Sequence, residues 1–154
     1  MSAPESPPGP AFPLIELKDL FNIMSHEEDL PWTYFRDGVD VVRLYGDGTT
    51  GPTAALIRFR KEARVPVHMH EGWEHIIVLT GSQRDQSGTI YPGTLRIHPP
   101  GTYHSVVSEA GCIVLAIYEK PVKFIGEKAA PSRSETQPDS STSTPATPAS
   151  PHAQ

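Results

Sequence analysis

The chain has a single cysteine, Cys112, which rules out an internal disulfide. The neighbouring Ile113, Val114 and Leu115 point to a buried thiol acting as a small hydrophobe. No apolar run approaches the length needed to span a bilayer, and the first residues, with Glu5 and several prolines, lack the charged and apolar regions of a signal peptide. The expectation is a cytoplasmic protein without a membrane contact. Basic residues are also scarce: 13 Lys and Arg stand against 18 Asp and Glu, a formal net charge of −5, and no cluster of Lys or Arg interrupts the pattern. The electrostatic footprint of a nucleic-acid binder is missing, so neither DNA nor RNA is an expected partner.

Proline, by contrast, is abundant and unevenly placed. Of 17 prolines, five precede Leu14 and five follow Lys128. Segments 1–13 and 127–154, rich in Pro, Ser, Thr and Ala, cannot bury enough apolar surface to offset the entropy of ordering them. They read as disordered tails around one domain, 14–126, long enough for one modest core.

Within that domain, Ile15 to Met24 predicts a short helix with Leu17, Leu20, Phe21 and Met24 on one stripe. Strands and turns follow. Val39 to Tyr45 and Thr53 to Arg60 are rich in β-branched and apolar residues, with Gly46-Asp47-Gly48 and Gly51-Pro52 between them, strong turn signals. Trp73 to Thr80, Thr94 to His98 and Cys112 to Glu119 continue the series. Short strands at regular spacing with no helix between them predict an all-β sandwich or barrel. Alternation along Trp73 to Thr80 puts Glu74, Ile76 and Val78 on one face and His75, Ile77 and Leu79 on the other. One face should line the interior, and the other should pack on a second sheet or a partner subunit. A homodimer is expected, because a covered edge is safer than an open one.

The chemistry concentrates in four residues, His68, His70, Glu74 and His104. If 68 to 70 lie on a strand, both histidines point to one face and Met69 points away. Three imidazoles and one carboxylate suit zinc, iron(II), manganese, nickel or copper, and ill suit calcium or magnesium. His75, on the opposite strand face from Glu74, is not expected to be a ligand.

These residues sit in two motifs. The first runs His68-Met69-His70, Glu74, Gly81; the second runs Gly93, Pro99, Gly101, His104. Their order and offsets resemble the two motifs of the cupin superfamily, with Glu62 in place of the opening glycine and Ser108 in place of the closing asparagine. From about Val39 to Phe124 the chain resembles ChrR-type cupins, through Gly81-Ser82-Gln83, Pro99-Pro100-Gly101, Ser108-Glu109-Ala110-Gly111-Cys112 and Glu119-Lys120-Pro121-Val122. The resemblance implies a small jelly-roll barrel, the double-stranded β-helix of cupins. It also implies one divalent transition metal held by His68, His70, Glu74 and His104, with zinc first and iron, manganese, nickel or copper as alternatives. Full ChrR-type anti-sigma factors carry an amino-terminal zinc-binding domain as well; the expectation for this sequence is the sensing half alone.

Around the ligands, Trp73, Gln83, Arg96, His98 and Tyr103 are candidates for a pocket that takes a small-molecule substrate or ligand. Each has a plainer alternative: aromatics in a small barrel are commonly core, a strand-end histidine commonly hydrogen bonds at the rim, and an arginine commonly sits on a solvated surface. Arg58 and Arg84 carry the same ambiguity, and His26 and His152 are expected to be exposed. Glu74 is the candidate catalytic residue, able to hold the metal in one state and accept a proton in another. Two functions stay open: a metal-dependent dioxygenase acting on a diketone or phenol, and a non-catalytic metal-bound sensor.

Overall fold

The structure, a computed structural model, describes residues 13–126; the two expected disordered tails lie outside these apart from Pro13. Eleven strands follow one another: β1 (Thr33–Arg36), β2 (Val39–Tyr45), β3 (Thr53–Phe59), β4 (Ala63–Met69), β5 (Glu74–Gly81), β6 (Gln83–Asp85), β7 (Gly88–Ile90), β8 (Leu95–His98), β9 (Tyr103–Ser108), β10 (Cys112–Tyr118) and β11 (Lys123–Phe124). They form two antiparallel sheets. The first has the order β1-β2-β3-β10-β5-β8 and the second β11-β4-β9-β6-β7. This is the expected jelly roll.

Alternation decides which side chains meet between the sheets. On β10, Cys112, Val114 and Ala116 enter the inter-sheet core with Val39, Phe59, Val65, Ile76, Val78 and Val106, whereas Ile113 belongs to a second cluster on the outer face of the first sheet. Strand β5 divides as its pattern predicts, Ile76 and Val78 inward and Ile77 and Leu79 outward. Cys112 is buried, and burial raises its thiol pKa to about 11, as expected of an inert core cysteine.

The outer face of β5 is covered by the chain's own N-terminal segment, a cover the sequence left between a second sheet and a partner. The expected helix is instead a 3-10 helix, Leu20–Ser25, preceded by Asp19 in a left-handed conformation. Its period of three places Leu20 and Ile23 on the covered side. Ile23 is fully buried against Leu56, Leu79 and Ile113, while Phe21 and Met24, placed on the apolar stripe by an α-helical reading, are exposed.

Between β2 and β3 the turn is built by Asp47, whose carboxylate accepts from the backbone N–H groups of Thr49 and Thr50 at 2.7 and 2.8 Å and from the Thr50 hydroxyl at 3.0 Å. These bonds hold its carboxyl far below the usual range.

Two motif departures are resolved locally. Glu62, in place of the opening glycine, keeps a glycine-like backbone with φ of 64°. Ser108, in place of the closing asparagine, is fully buried and donates to the Ser82 carbonyl at 2.6 Å, tying β9 to the β5–β6 turn.

Candidate metal centre

Strand pairing assembles the site. In the antiparallel pair β4–β9, His68 stands opposite His104, so two residues far apart in sequence become lateral neighbours with ring centroids 4.5 Å apart. His70 lies just past the end of β4. There its N–H donates to the Thr102 carbonyl at 2.9 Å and its carbonyl accepts from Gly101 N–H at 2.7 Å, so the Pro99-Pro100-Gly101 turn clasps it. Glu74 begins β5 in the facing sheet and points back across the interior. His68, His70, Glu74 and His104 are all buried, and one ligand atom from each lies within 4.8 Å of all the others.

Each imidazole has its Nδ1 occupied by a different acceptor. His68 Nδ1 lies 2.9 Å from the Pro66 carbonyl, His70 Nδ1 2.9 Å from Thr102 Oγ1, and His104 Nδ1 3.0 Å from Asp85 Oδ2. The Thr102 hydroxyl itself donates to the Pro99 carbonyl at 2.7 Å, which leaves its oxygen to accept from His70. With Nδ1–H donating in all three rings, each Nε2 carries a lone pair, the tautomer a metal ligand needs.

His70 Nε2 lies 2.9 Å and His104 Nε2 3.8 Å from Glu74 Oε2. The closer approach is nevertheless not a hydrogen bond in its geometry, and His70 Nε2 and Glu74 Oε2 are both buried with no hydrogen-bond partner. A nitrogen lone pair facing a carboxylate oxygen in a dry interior is unfavourable unless a cation joins them. The donor set and these two orphaned atoms fit a divalent transition metal.

Burial drives the histidine pKa values down, to about 4 for His104 despite its bond to Asp85, and in the same direction for His68 despite Pro66 and Glu74. Both are therefore neutral near pH 7. Burial alone would raise Glu74, but the close approach of His70, with His104 and His68 beside it, outweighs burial and holds the carboxyl below its usual range. Asp85 behaves alike: His104, the Ser87 N–H and Arg96 overcome its burial.

Beneath the four residues lies a chamber of about 70 Å³, open at one side, lined by His68, Glu74 and His104 and otherwise almost wholly by apolar groups, among them Phe35, Phe59, Ile76, Val114 and Phe124. Gln83 and Tyr118 are the other polar residues on its wall. Two larger surface grooves, of about 640 and 470 Å³, contain none of the four.

The pocket candidates separate. Gln83 lines the chamber. His98, paired with Glu74 across β5–β8, stacks on His70 at 4.7 Å and lies 4.3 Å from His104 between ring centroids, but is not on the chamber wall; burial lowers its pKa too. Arg96 reaches the site through Asp85, at 2.7 Å. Trp73 and Tyr103 are exposed and are not on the chamber wall. Arg58 pairs with Asp40 and Glu28, and Arg84 with Glu109. His26 is half-buried rather than exposed, and His152 lies outside the described residues. Asp85 was not singled out in the sequence; its contact with the candidate ligand His104 arises from the approach of β6 to β9.

The ChrR cupin-like domain family matches residues 22–122. This chain belongs to that family. It is 32% identical over 99 residues to the anti-sigma-E factor ChrR of Cereibacter sphaeroides, covering 63% of this chain and 46% of that protein, so the chain spans under half the length of this relative. Among solved structures it is similar to the complex of Rhodobacter sphaeroides SigE with the anti-sigma ChrR, with a TM-score of 0.54 and 24% identity over 71% of each chain. The acetylacetone dioxygenase of Acinetobacter johnsonii gives a TM-score of 0.61 at 14% identity, covering 84% of this chain and 90% of that one. Both likenesses are of fold. No described helix is long and apolar enough to cross a membrane.

Proposed function

We propose that this ChrR-like cupin holds one divalent transition metal through His68, His70, Glu74 and His104, zinc in the first instance, and binds a small molecule in the chamber beneath it. The observation that carries the reading is the convergence of one ligand atom from each of three buried histidines and one buried carboxylate, with His68, Glu74 and His104 also on the wall of an apolar chamber. A bound cation there supplies a Lewis acid that polarises an oxygen of the ligand. The chain's own residues do the rest. Apolar walls exclude water, His68 and His104 stay neutral as donors, and Glu74, whose oxygen faces the chamber, is placed to exchange metal contact for a proton. Kinship with an anti-sigma factor favours sensing over turnover, and pairing into a homodimer through strand β8 belongs to the same reading.

Elemental analysis of protein purified without added metal tests it. One equivalent per chain is expected, falling well below that in His68→Ala and His104→Ala; an unchanged content in both would refute the site. A dioxygenase acting on a diketone or phenol is the second reading, favoured by the carboxylate of Glu74 on the chamber wall. Oxygen uptake with a panel of diketones and phenols separates the two: zinc without uptake supports the sensor, iron with substrate-dependent uptake the enzyme. In the second case Glu74→Gln should keep part of the metal and lose turnover; unchanged turnover would exclude a base role for Glu74.

A further inference from the structure

The two sheets differ in how their outer faces are finished. The N-terminal segment covers the first, whereas the second has no such cover among the described residues. Strand register sets the layout of this open face. At one end Val107 lies opposite both Arg64 and Arg84; at the other Met69 lies opposite both Lys123 and Tyr103. Between the two rows the Ile125 N–H reaches the Val67 carbonyl at 3.1 Å. Val67, Tyr103 and Ile125 are 43%, 59% and 49% exposed, so cations bracket an apolar middle. The groove of about 470 Å³ runs here, with Arg64, Val67, Arg84 and Ser105 on its walls. The five strands of the sheet hold a single acid, Asp85, whose carboxylate is taken by His104, Arg96 and the Ser87 N–H. Arg84 is paired with Glu109, but Arg64 and Lys123 make no ion pair with any described residue.

We infer that this face docks an acidic, apolar segment of another protein: a short run of large apolar side chains with carboxylates at both ends. Tyr103 and Val107 mark the two rows on β9, about 13 Å apart at the rise of a strand, and that separation sets the distance between the two groups of carboxylates. Charge decides against the alternatives. A second copy related by a two-fold axis would bring a second set of the same cations to the face. The chain's own residues 127–154 contain no Val, Ile, Leu, Met or aromatic residue to fill the apolar middle. A nucleic acid would match the cations and leave the apolar side chains in water, and it meets a chain of net charge −5, which repels a polyanion.

Fluorescence anisotropy on the full-length protein tests this with three labelled peptides: Glu-Glu-Leu-Val-Leu-Glu-Glu, the same peptide with lysine for every glutamate, and the same with serine for every apolar residue. The first should bind about 10-fold or more tightly than either of the others, and its affinity should fall as salt rises. Arg64→Glu combined with Lys123→Glu should weaken it by about 10-fold or more, and Val67→Ser by about 3- to 10-fold. Ile97→Lys, on the other sheet, should leave it unchanged. Metal content should be that of wild type throughout, and if the double variant melts lower, Arg64→Gln with Lys123→Gln takes its place. Absence of binding by the acidic peptide, equal binding of the lysine or serine peptide, or an affinity untouched by these substitutions would overturn the inference. So would a wild-type dimer that the double variant dissociates, which would make a second copy the occupant, or displacement of the peptide by a single-stranded oligonucleotide, which would make it a nucleic acid.

Discussion

His104 and Asp85 meet at 3.0 Å between Nδ1 and Oδ2, and the other carboxylate oxygen of Asp85 is held by Arg96 at 2.7 Å and by the Ser87 N–H at 2.8 Å. His104 lies on β9 and Arg96 on β8, in different sheets, so Asp85 on β6 links a candidate ligand in one sheet to an edge strand of the other. Of the three Nδ1 acceptors only this one is charged, which makes His104 the most strongly oriented imidazole of the set.

Asp85→Ala should therefore weaken metal affinity by about 10- to 100-fold, and Asp85→Asn, which keeps an acceptor oxygen but not the charge, by less. Competition against a chelator dye measures both. Equal affinities for wild type and Asp85→Ala would show that His104 needs no such support.

Much of this was legible in the sequence, for identifiable reasons. Long strands declare themselves by alternation, and Val39–Tyr45 is found with the bounds predicted. The four candidate ligands were visible because glycines and prolines mark the turns between them. Strands of two to four residues such as β1, β6, β7 and β11 are too short to show a period, and the contact of Asp85 with His104 depends on pairing that no local pattern encodes. Trp73 and Tyr103 are instructive in the other direction. Each is the chain neighbour of a ligand, and the period of two along an extended chain already turns such neighbours away from the site. The 3-10 geometry at Leu20–Ser25 was hidden because tertiary burial of Ile23, rather than helix propensity, shapes that segment.

Acidification should destabilise the metal-free protein before any carboxylate titrates. His104 is held at about 4 in the fold against the ordinary histidine value of 6.5, and His68 and His98 are lowered as well. Between these limits the unfolded chain binds protons that the folded chain refuses, so stability is fully present above about pH 6.5 and is lost as pH falls toward 4. His104 alone is worth roughly 3 kcal/mol across that window. Below it Glu74 and Asp85, whose pKa values are also lowered, add a further loss as they protonate. Thermal melts of chelator-treated protein at pH 7.5, 6, 5 and 4.5 should show a steady fall, and a flat profile from 7.5 to 5 would contradict it.

Glu62 occupies a left-handed backbone position, φ 64°, that the cupin pattern assigns to glycine. A non-glycine residue there costs on the order of 1–2 kcal/mol, partly offset because glycine loses more entropy on folding. Glu62→Gly should therefore stabilise the protein by about 0.5–1 kcal/mol, seen as a melting temperature higher by a few degrees. A lower melting temperature would show that the Glu62 side chain supplies more than its backbone costs.

Strand β8 is one of the two edges of the first sheet, β1 being the other, and on its outer face Leu95 and Ile97, opposite Ile77 and His75, are 52% and 47% exposed. An apolar edge left in water invites pairing with another strand, and a second copy, meeting this edge through a two-fold axis, would cover the same residues on both chains. Ile97→Lys places a charge at the centre of that contact without touching the inter-sheet core. Light scattering at tens of micromolar should then report a dimer for wild type and a monomer for Ile97→Lys, with metal content unchanged. A monomeric wild type, or a dimer that tolerates the lysine, would remove this edge as the interface.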